Sequence, residues 1–234
     1  MSSKLKFGLF VAVMLCFSLI IGTTVTSAEQ NKSGEVKSFR ASPEQLNIIK
    51  ELWGTNISKG EYLENVFPEA LKGLPEDVLK QLYNIPMVWP NPNSQLPEET
   101  MVPAGSENEV TPRDTWVVEL KSTLNKTTNP TVLNFKSSNT VKYPSASSLV
   151  PFMDVTSYLW RKDSLIGGTD AVLVDSAMDA GYNVSSVEAV GIYICDYLGY
   201  YKTQGCHNAV FPPGHTPPGY TNVWTESSWQ KAQP

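Results

Sequence analysis

The chain has 234 residues, a formal charge of −5 and only 18% charged side chains. That length holds one good-sized core with an appendage. A mildly acidic chain without a Lys/Arg cluster lacks the basic footprint that nucleic acid or an anionic membrane surface selects, and its Ser, Thr, Asn, Pro and Tyr content suits an extracellular β-protein.

Residues 1–28 read as an export leader. Lys4 and Lys6 form the positive start, Phe7 to Ile21 is an apolar run, and Thr26-Ser27-Ala28 offers small residues for cleavage. The run is short for a spanning helix, which takes about 20 residues. Cleavage is therefore expected, with an uncleaved N-terminal anchor as the alternative. Cys16 follows Leu15 and not a small residue, which speaks against lipid attachment. Removing Lys4 and Lys6 takes the formal charge from −5 to −7.

Residues 29–41 are polar and aperiodic and read as a disordered spacer. Residues 42–84 read as a helical subdomain. Ser42 with Gln45 and Ser58 with Glu61 form capping boxes, Pro43 suits a first helical position, and Pro75 opens a third segment carrying Val78, Leu79, Leu82 and Tyr83 on one face. Residues 85–113 contain prolines 86, 90, 92, 97, 103 and 112 and read as an extended linker, with Trp89 as a packing anchor.

Residues 114–234 read as a β-sandwich domain. Thr115–Lys121 alternates apolar and polar side chains as a half-buried strand does. Further strands are expected over Thr131–Phe135, Val155–Arg161, Thr169–Ser176, Val187–Cys195 and Cys206–Phe211, with an edge strand at Tyr220–Thr225. Asp179–Val184 reads as a turn. The fold class is thus α+β: a helical segment, a Pro-rich linker and an antiparallel sandwich, immunoglobulin-like in architecture at most. Gly191-x-Tyr193-x-Cys195 is similar to a late immunoglobulin strand, but Ala189 stands where that pattern has an acid, and no upstream partner cysteine survives the leader.

In an exported chain Cys195 and Cys206 are expected to form one disulfide. Their spacing with His207 and His215 matches no zinc pattern, so neither a metal nor a cofactor is expected. No G-x-S-x-G or H-E-x-x-H occurs, and no catalytic residue is assigned. Asp154, Asp163, Asp170, Asp175, Asp179 and Asp196 fall near strand ends and turns, where Asp favours solvent; a glycosidase pair among them is the enzymatic alternative. Tyr197, Tyr200, Tyr201 and Trp224 are the candidate ligand-binding residues, since aromatic faces bind sugars or protein surfaces at low entropic cost. Asn31, Asn56, Asn125 and Asn183 lie in glycosylation sequons.

The block from Ser157-Tyr158-Leu159-Trp160-Arg161-Lys162-Asp163 through Gly205-Cys206-His207 to Phe211-Pro212-Pro213-Gly214 resembles a group of small secreted prokaryotic β-domains of unassigned function. The resemblance covers the C-terminal part and implies a small exported β-domain. The expectation is a secreted or cell-surface interaction or adhesion module. Its partner would be envelope carbohydrate or another surface protein, with no nucleic acid and no membrane insertion after cleavage. The alternatives are a secreted polysaccharide hydrolase using paired Asp residues, and a purely structural envelope protein.

Overall fold

The computed structural model describes residues 34–93, 95–103, 116–128, 131–166, 170–212 and 219–234. The expected leader, residues 29–33 of the expected spacer, residues 104–113 of the expected linker, and His215 lie outside them. The described elements in chain order are β1 (Val36–Arg40), α1 (Pro43–Leu52), α2 (Lys59–Val66), a 3-10 turn (Pro68–Ala70), α3 (Glu76–Asn84), β2 (Glu99–Pro103), β3 (Val117–Thr127), β4 (Val132–Tyr143), β5 (Val150–Lys162), β6 (Val172–Val184), β7 (Ser186–Ile194), β8 (Gly199–Val210), β9 (Tyr220–Glu226) and β10 (Gln230–Ala232).

Both capping boxes form. Ser42 Oγ accepts from Gln45 N at 3.2 Å while Gln45 Oε1 accepts from Ser42 N at 2.8 Å. Ser58 and Glu61 repeat the arrangement at 3.2 and 2.7 Å. Helices of 10, 8 and 9 residues are too short to persist alone. They persist because their apolar faces are buried. Ile49, Tyr62, Leu63, Val66 and Leu82 pack with Phe152, Tyr158, Trp160, Met178 and Trp224 of the sheet beneath. Each such side chain contributes about 1.5–3 kcal/mol on burial.

Among the described residues all strand pairings are antiparallel, and they build two sheets. Sheet 1 has the order β1-β6-β5-β8-β10, with β9 also on β8; sheet 2 has the order β2-β3-β4-β7. Sheet 1 is the middle layer. Met153, Val155 and Leu159 of β5 face sheet 2, where they meet Val118, Leu120 and Phe135. Phe152, Tyr158 and Trp160 of the same strand face the helices. The β-sandwich expectation therefore holds in its coarse form, two packed antiparallel sheets, with a helical layer added on one side. Gly191 of β7 lets this core close. A Cβ there would fall within 2.7 Å of three ring carbons of Phe135 on β4.

Residues 36–40, expected in the disordered spacer, pair with β6 from Val36↔Gly181 to Arg40↔Ala177. The expected linker is a strap. Ile85 and Met87 are buried in the helix-side core, and Met87 N donates to Ile57 O at 2.8 Å. Further on, Glu226 N donates to Pro97 O and Ser122 N to Glu98 O, before β2 pairs with β3. The prolines stiffen a crossing from the helical layer to sheet 2, and Ser33–Pro234 is one compact unit. Asp179–Val184, expected as a turn, continues β6; the reversal comes at Asn183–Ser185, where Asn183 takes φ 53°.

Candidate functional site

The first expectation to correct is the disulfide. Cys195 and Cys206 are both free and buried. Cys195 follows β7 and packs in the core between the sheets, with its thiol directed at Tyr197 O (3.2 Å) and Tyr201 Oη (3.6 Å). Cys206 lies on the helix-facing side of sheet 1, directed at Asn222 Oδ1 at 3.8 Å. Tyr201, which Cys195 meets, and Cys206 are five positions apart on β8, and an odd interval puts them on opposite faces of sheet 1. Thiols on opposite sides of a sheet cannot adopt the close, facing geometry of a disulfide. Burial pushes the Cys206 thiol up to about 12. Reductant is therefore expected to leave the melting temperature unchanged. A thiol reagent should react with neither cysteine in the native protein and with both in denaturant. A melting-temperature drop on reduction would restore the bridge.

The four aromatic candidates separate. Tyr201 is fully buried and donates to Tyr197 O at 2.8 Å. Trp224 is buried under the helices, stacked on Tyr158 at 5.6 Å and edge-on to Trp53 at 5.8 Å. These two build the fold and present no surface. Tyr200 is half-buried beside Lys162 and Lys231 in the register. Tyr197 is exposed, with the Arg161 guanidinium 4.2 Å above its ring.

Tyr197 belongs to one end of the sandwich, where the β5–β6 and β7–β8 connections emerge together. Leu165, Ile166, Val172, Ile194 and Leu198 are all exposed there, Ile166 by 87% and Ile194 by 66%. From Ile194 the exposed apolar side chains continue at every second residue through Ile192 to Val190, on the outer face of the edge strand β7. The edge itself is engaged by side chains of sheet 1, Asp179 at the Glu188 backbone and Arg40 at Ile192. Arg40 of β1 donates to Ile192 O and is ion-paired with Asp175, each at 2.5 Å.

A cleft of about 360 Å³ opens at the other margin of sheet 1, lined by Gln95, Leu96, Glu98, Glu226, Ser227, Ser228 and Trp229. Lys162 and Lys202 lie 4.8 and 5.0 Å from the Trp229 ring centre. Glu226 Oε2 accepts from Lys202 Nζ at 2.5 Å and from Gln204 Nε2 at 2.9 Å. Burial pulls Lys202 down despite that carboxylate. Sequence reading missed this cleft, because Gln95 and Glu98 reach it from the Pro-rich strap.

Two buried polar groups occupy opposite faces of sheet 1. On the helix side, Lys59 Nζ is 2.5 Å from Asp154 Oδ1, and both side chains are almost wholly shielded from solvent. Asn208 Nδ2 donates to Asp154 Oδ2 at 2.9 Å, and Tyr158 Oη donates to Tyr62 Oη at 2.9 Å. Burial, the largest influence, holds the Asp154 carboxyl above the usual range; it opposes the ammonium of Lys59, whose charge the facing carboxylate upholds.

Between the sheets, Asn139 Nδ2 donates to the carbonyls of Asp154 and Asn208 at 2.9 and 3.2 Å. Its Oδ1 therefore faces His207 Nδ1 at 2.5 Å, which must carry the proton. His207 Nε2 lies 2.7 Å from Thr225 Oγ1. Thr225 Oγ1 donates to Ser122 Oγ at 2.7 Å, Ser122 meets Ser137 at 2.8 Å, and Ser137 Oγ donates to Ser157 Oγ at 3.0 Å. The site looks like a base with its orienting amide, but its fully buried imidazole has no path to a substrate, and burial holds it down to about 3. It is a structural network.

Asp154 is paired with Lys59 and Asp175 with Arg40, and neither the cleft lined by Trp229 nor the one lined by Lys37 and Lys72 includes an aspartate. Among the described residues no three His, Cys, Asp or Glu side chains form a metal-binding group, and no helix is long and apolar enough to cross a membrane. No family model matches the chain, and no curated protein matches it.

Proposed function

We propose that this chain is a non-enzymatic interaction module, secreted or displayed at the cell surface, that holds another surface protein through the apolar end of its sandwich. One observation carries the reading: the exposed group formed by Leu165, Ile166, Ile194, Tyr197 and Leu198, continued by Ile192 and Val190. Exposed apolar side chains grouped in this way mark contact surfaces. Their chemistry is mostly aliphatic, which suits a protein partner; a saccharide is held by aromatic faces and polar groups. Arg161 over Tyr197 adds two residue types enriched at the energetic centres of such contacts. The leader sequence supports placement outside the cell.

A second reading rests on the other margin. Trp229 with Glu98, Glu226 and Gln95 has the composition of a saccharide site, and two carboxylates in one cleft are also what a glycoside hydrolase needs. Lys202 and Gln204 already neutralise Glu226, which favours binding over acid–base work.

Retention on isolated envelopes of the producing cells separates these readings. Ile166→Glu with Leu198→Glu is expected to lower retention at least about tenfold, the scale of a lost hot spot, while Trp229→Ala leaves it unchanged. Loss with Trp229→Ala alone moves the function to the cleft. Glycan turnover abolished by Glu226→Gln makes the chain an enzyme, and no retention of the unaltered protein sinks the module.

A further inference from the structure

The Lys59–Asp154 pair sits where an ion pair gains least. Both side chains are removed from water, and the Tyr62 ring centre is 5.3 Å from Lys59 Nζ. Two ions in such surroundings need good hydrogen-bond geometry to offset lost hydration. Their geometry is poor. Nζ and Oδ1 are 2.5 Å apart, but the approach is off the angles at which N–H bonds and lone pairs best meet, so the ion pair has at most one bent hydrogen bond. Lys202 and Glu226 at the same 2.5 Å do form the hydrogen bond, so a short distance is not the difference. An amine nitrogen is held against a carboxyl group at angles that suit a hydrogen bond poorly.

We propose that Lys59 and Asp154 condense into an intramolecular isopeptide bond, which ties the start of α2 to β5, a central strand of sheet 1. The bond formed is Nζ–Cγ and the bond broken is Cγ–Oδ1. An ammonium proton first passes to the facing Oδ1, giving a neutral amine and acid; burial favours these uncharged forms and opposes the pairing that upholds the Lys59 charge. Nζ then attacks Cγ. Oδ2 takes the developing negative charge and is stabilised by Asn208 Nδ2, which already donates to it at 2.9 Å. A second proton from Nζ goes to Oδ1, which leaves as water. The ammonium and carboxylate thus become an amide and one water, and no external acid, base or oxidant is consumed. Fixing the two groups in contact supplies the effective concentration the uncatalysed condensation lacks. The amide is uncharged, so the reaction also removes the two buried charges.

The test is the intact mass of the full chain, read in denaturant and reductant. The unaltered protein is expected one water lighter than its processed sequence, about 18 Da, and digestion should release a branched peptide joining residues 59 and 154. Lys59→Arg keeps the charge but removes the primary amine, and it should restore the full mass, as should Asp154→Ala. Asn208→Ala should leave a mixture of linked and unlinked chains. Because mass is read without native structure, poor folding of a variant does not obscure its result. An unaltered protein at full mass overturns the proposal, and so does a water loss that survives Lys59→Arg.

Discussion

Lys59→Met lowers the unfolding free energy by about 3–5 kcal/mol, the cost of leaving one partner of a buried pair alone. The residue stands at the first position of α2, where the box of Ser58 and Glu61 fixes the backbone, and Lys59 N donates to Ile85 O at 2.7 Å. Methionine keeps the length of the side chain and removes only its head. What remains is the Asp154 carboxyl, out of water, with one donor from Asn208. Burial already raises that carboxyl, and losing the ammonium raises it further. A carboxyl raised in the folded state contributes stability that is complete below its unfolded value, about 3.9, and is lost as pH rises through the folded one. The variant should therefore recover part of its deficit in acid, as urea titrations at pH 7 and pH 4 would register. Adding Asp154→Leu to Lys59→Met should return most of the loss, since an apolar pair replaces a buried ion pair at little cost. If the two residues are covalently joined, the double variant stays well below the unaltered protein, because it lacks the cross-link. A single variant as stable as the unaltered protein would show that Asp154 finds water or another cation.

The features that sequence revealed are the ones fixed by neighbours in the chain. Ser42 with Gln45 and Ser58 with Glu61 act across three residues, and both boxes form as read. The alternation of β3 reports one dry and one wet face, and the strand has them. β6 and β8 have no wet face, because sheet 1 is covered on both sides. Their polar residues Asp175, Lys202, Gln204, His207 and Asn208 interrupt the apolar pattern, and Lys202 and Gln204 lie outside the strands expected from sequence. Each is satisfied by a residue far away in sequence: Arg40, Glu226, Asn139 or Asp154. Spacing could not reveal that Cys195 and Cys206 point into different layers, since this depends on Tyr201 and Cys206 occupying one continuous strand. Tyr197 was legible as a surface aromatic, but Tyr201 and Trp224 have the same composition signal and serve the core. The helix layer explains the difference. It turns the outer face of sheet 1 into a second core and leaves the sandwich end and β7 as the apolar surface.

Acid should unfold the protein through His207. Its ring is dry, and burial, with a smaller contribution from the Lys59 charge, holds it down to about 3. In the unfolded chain it titrates near 6.5. The unfolded state therefore binds the extra proton first as pH falls. The stability from the neutral ring is complete above about pH 6.5, declines below it, and is gone near pH 3, a loss of roughly 4–5 kcal/mol over the window. The ring is also closely enclosed: a Cβ at Gly205 would lie 2.4 Å from Ser122 Oγ and 2.6 Å from both His207 Nε2 and Ser137 Oγ. His207→Gln removes the titration and keeps one hydrogen-bonding head. It should cost a few kcal/mol at pH 7, about what a buried group left short of a partner costs. Its deficit should shrink steadily as urea unfolding is repeated from pH 7 to pH 4, because only the unaltered protein loses the histidine contribution. A deficit that stays constant over that range would mean that His207 accepts a proton in place.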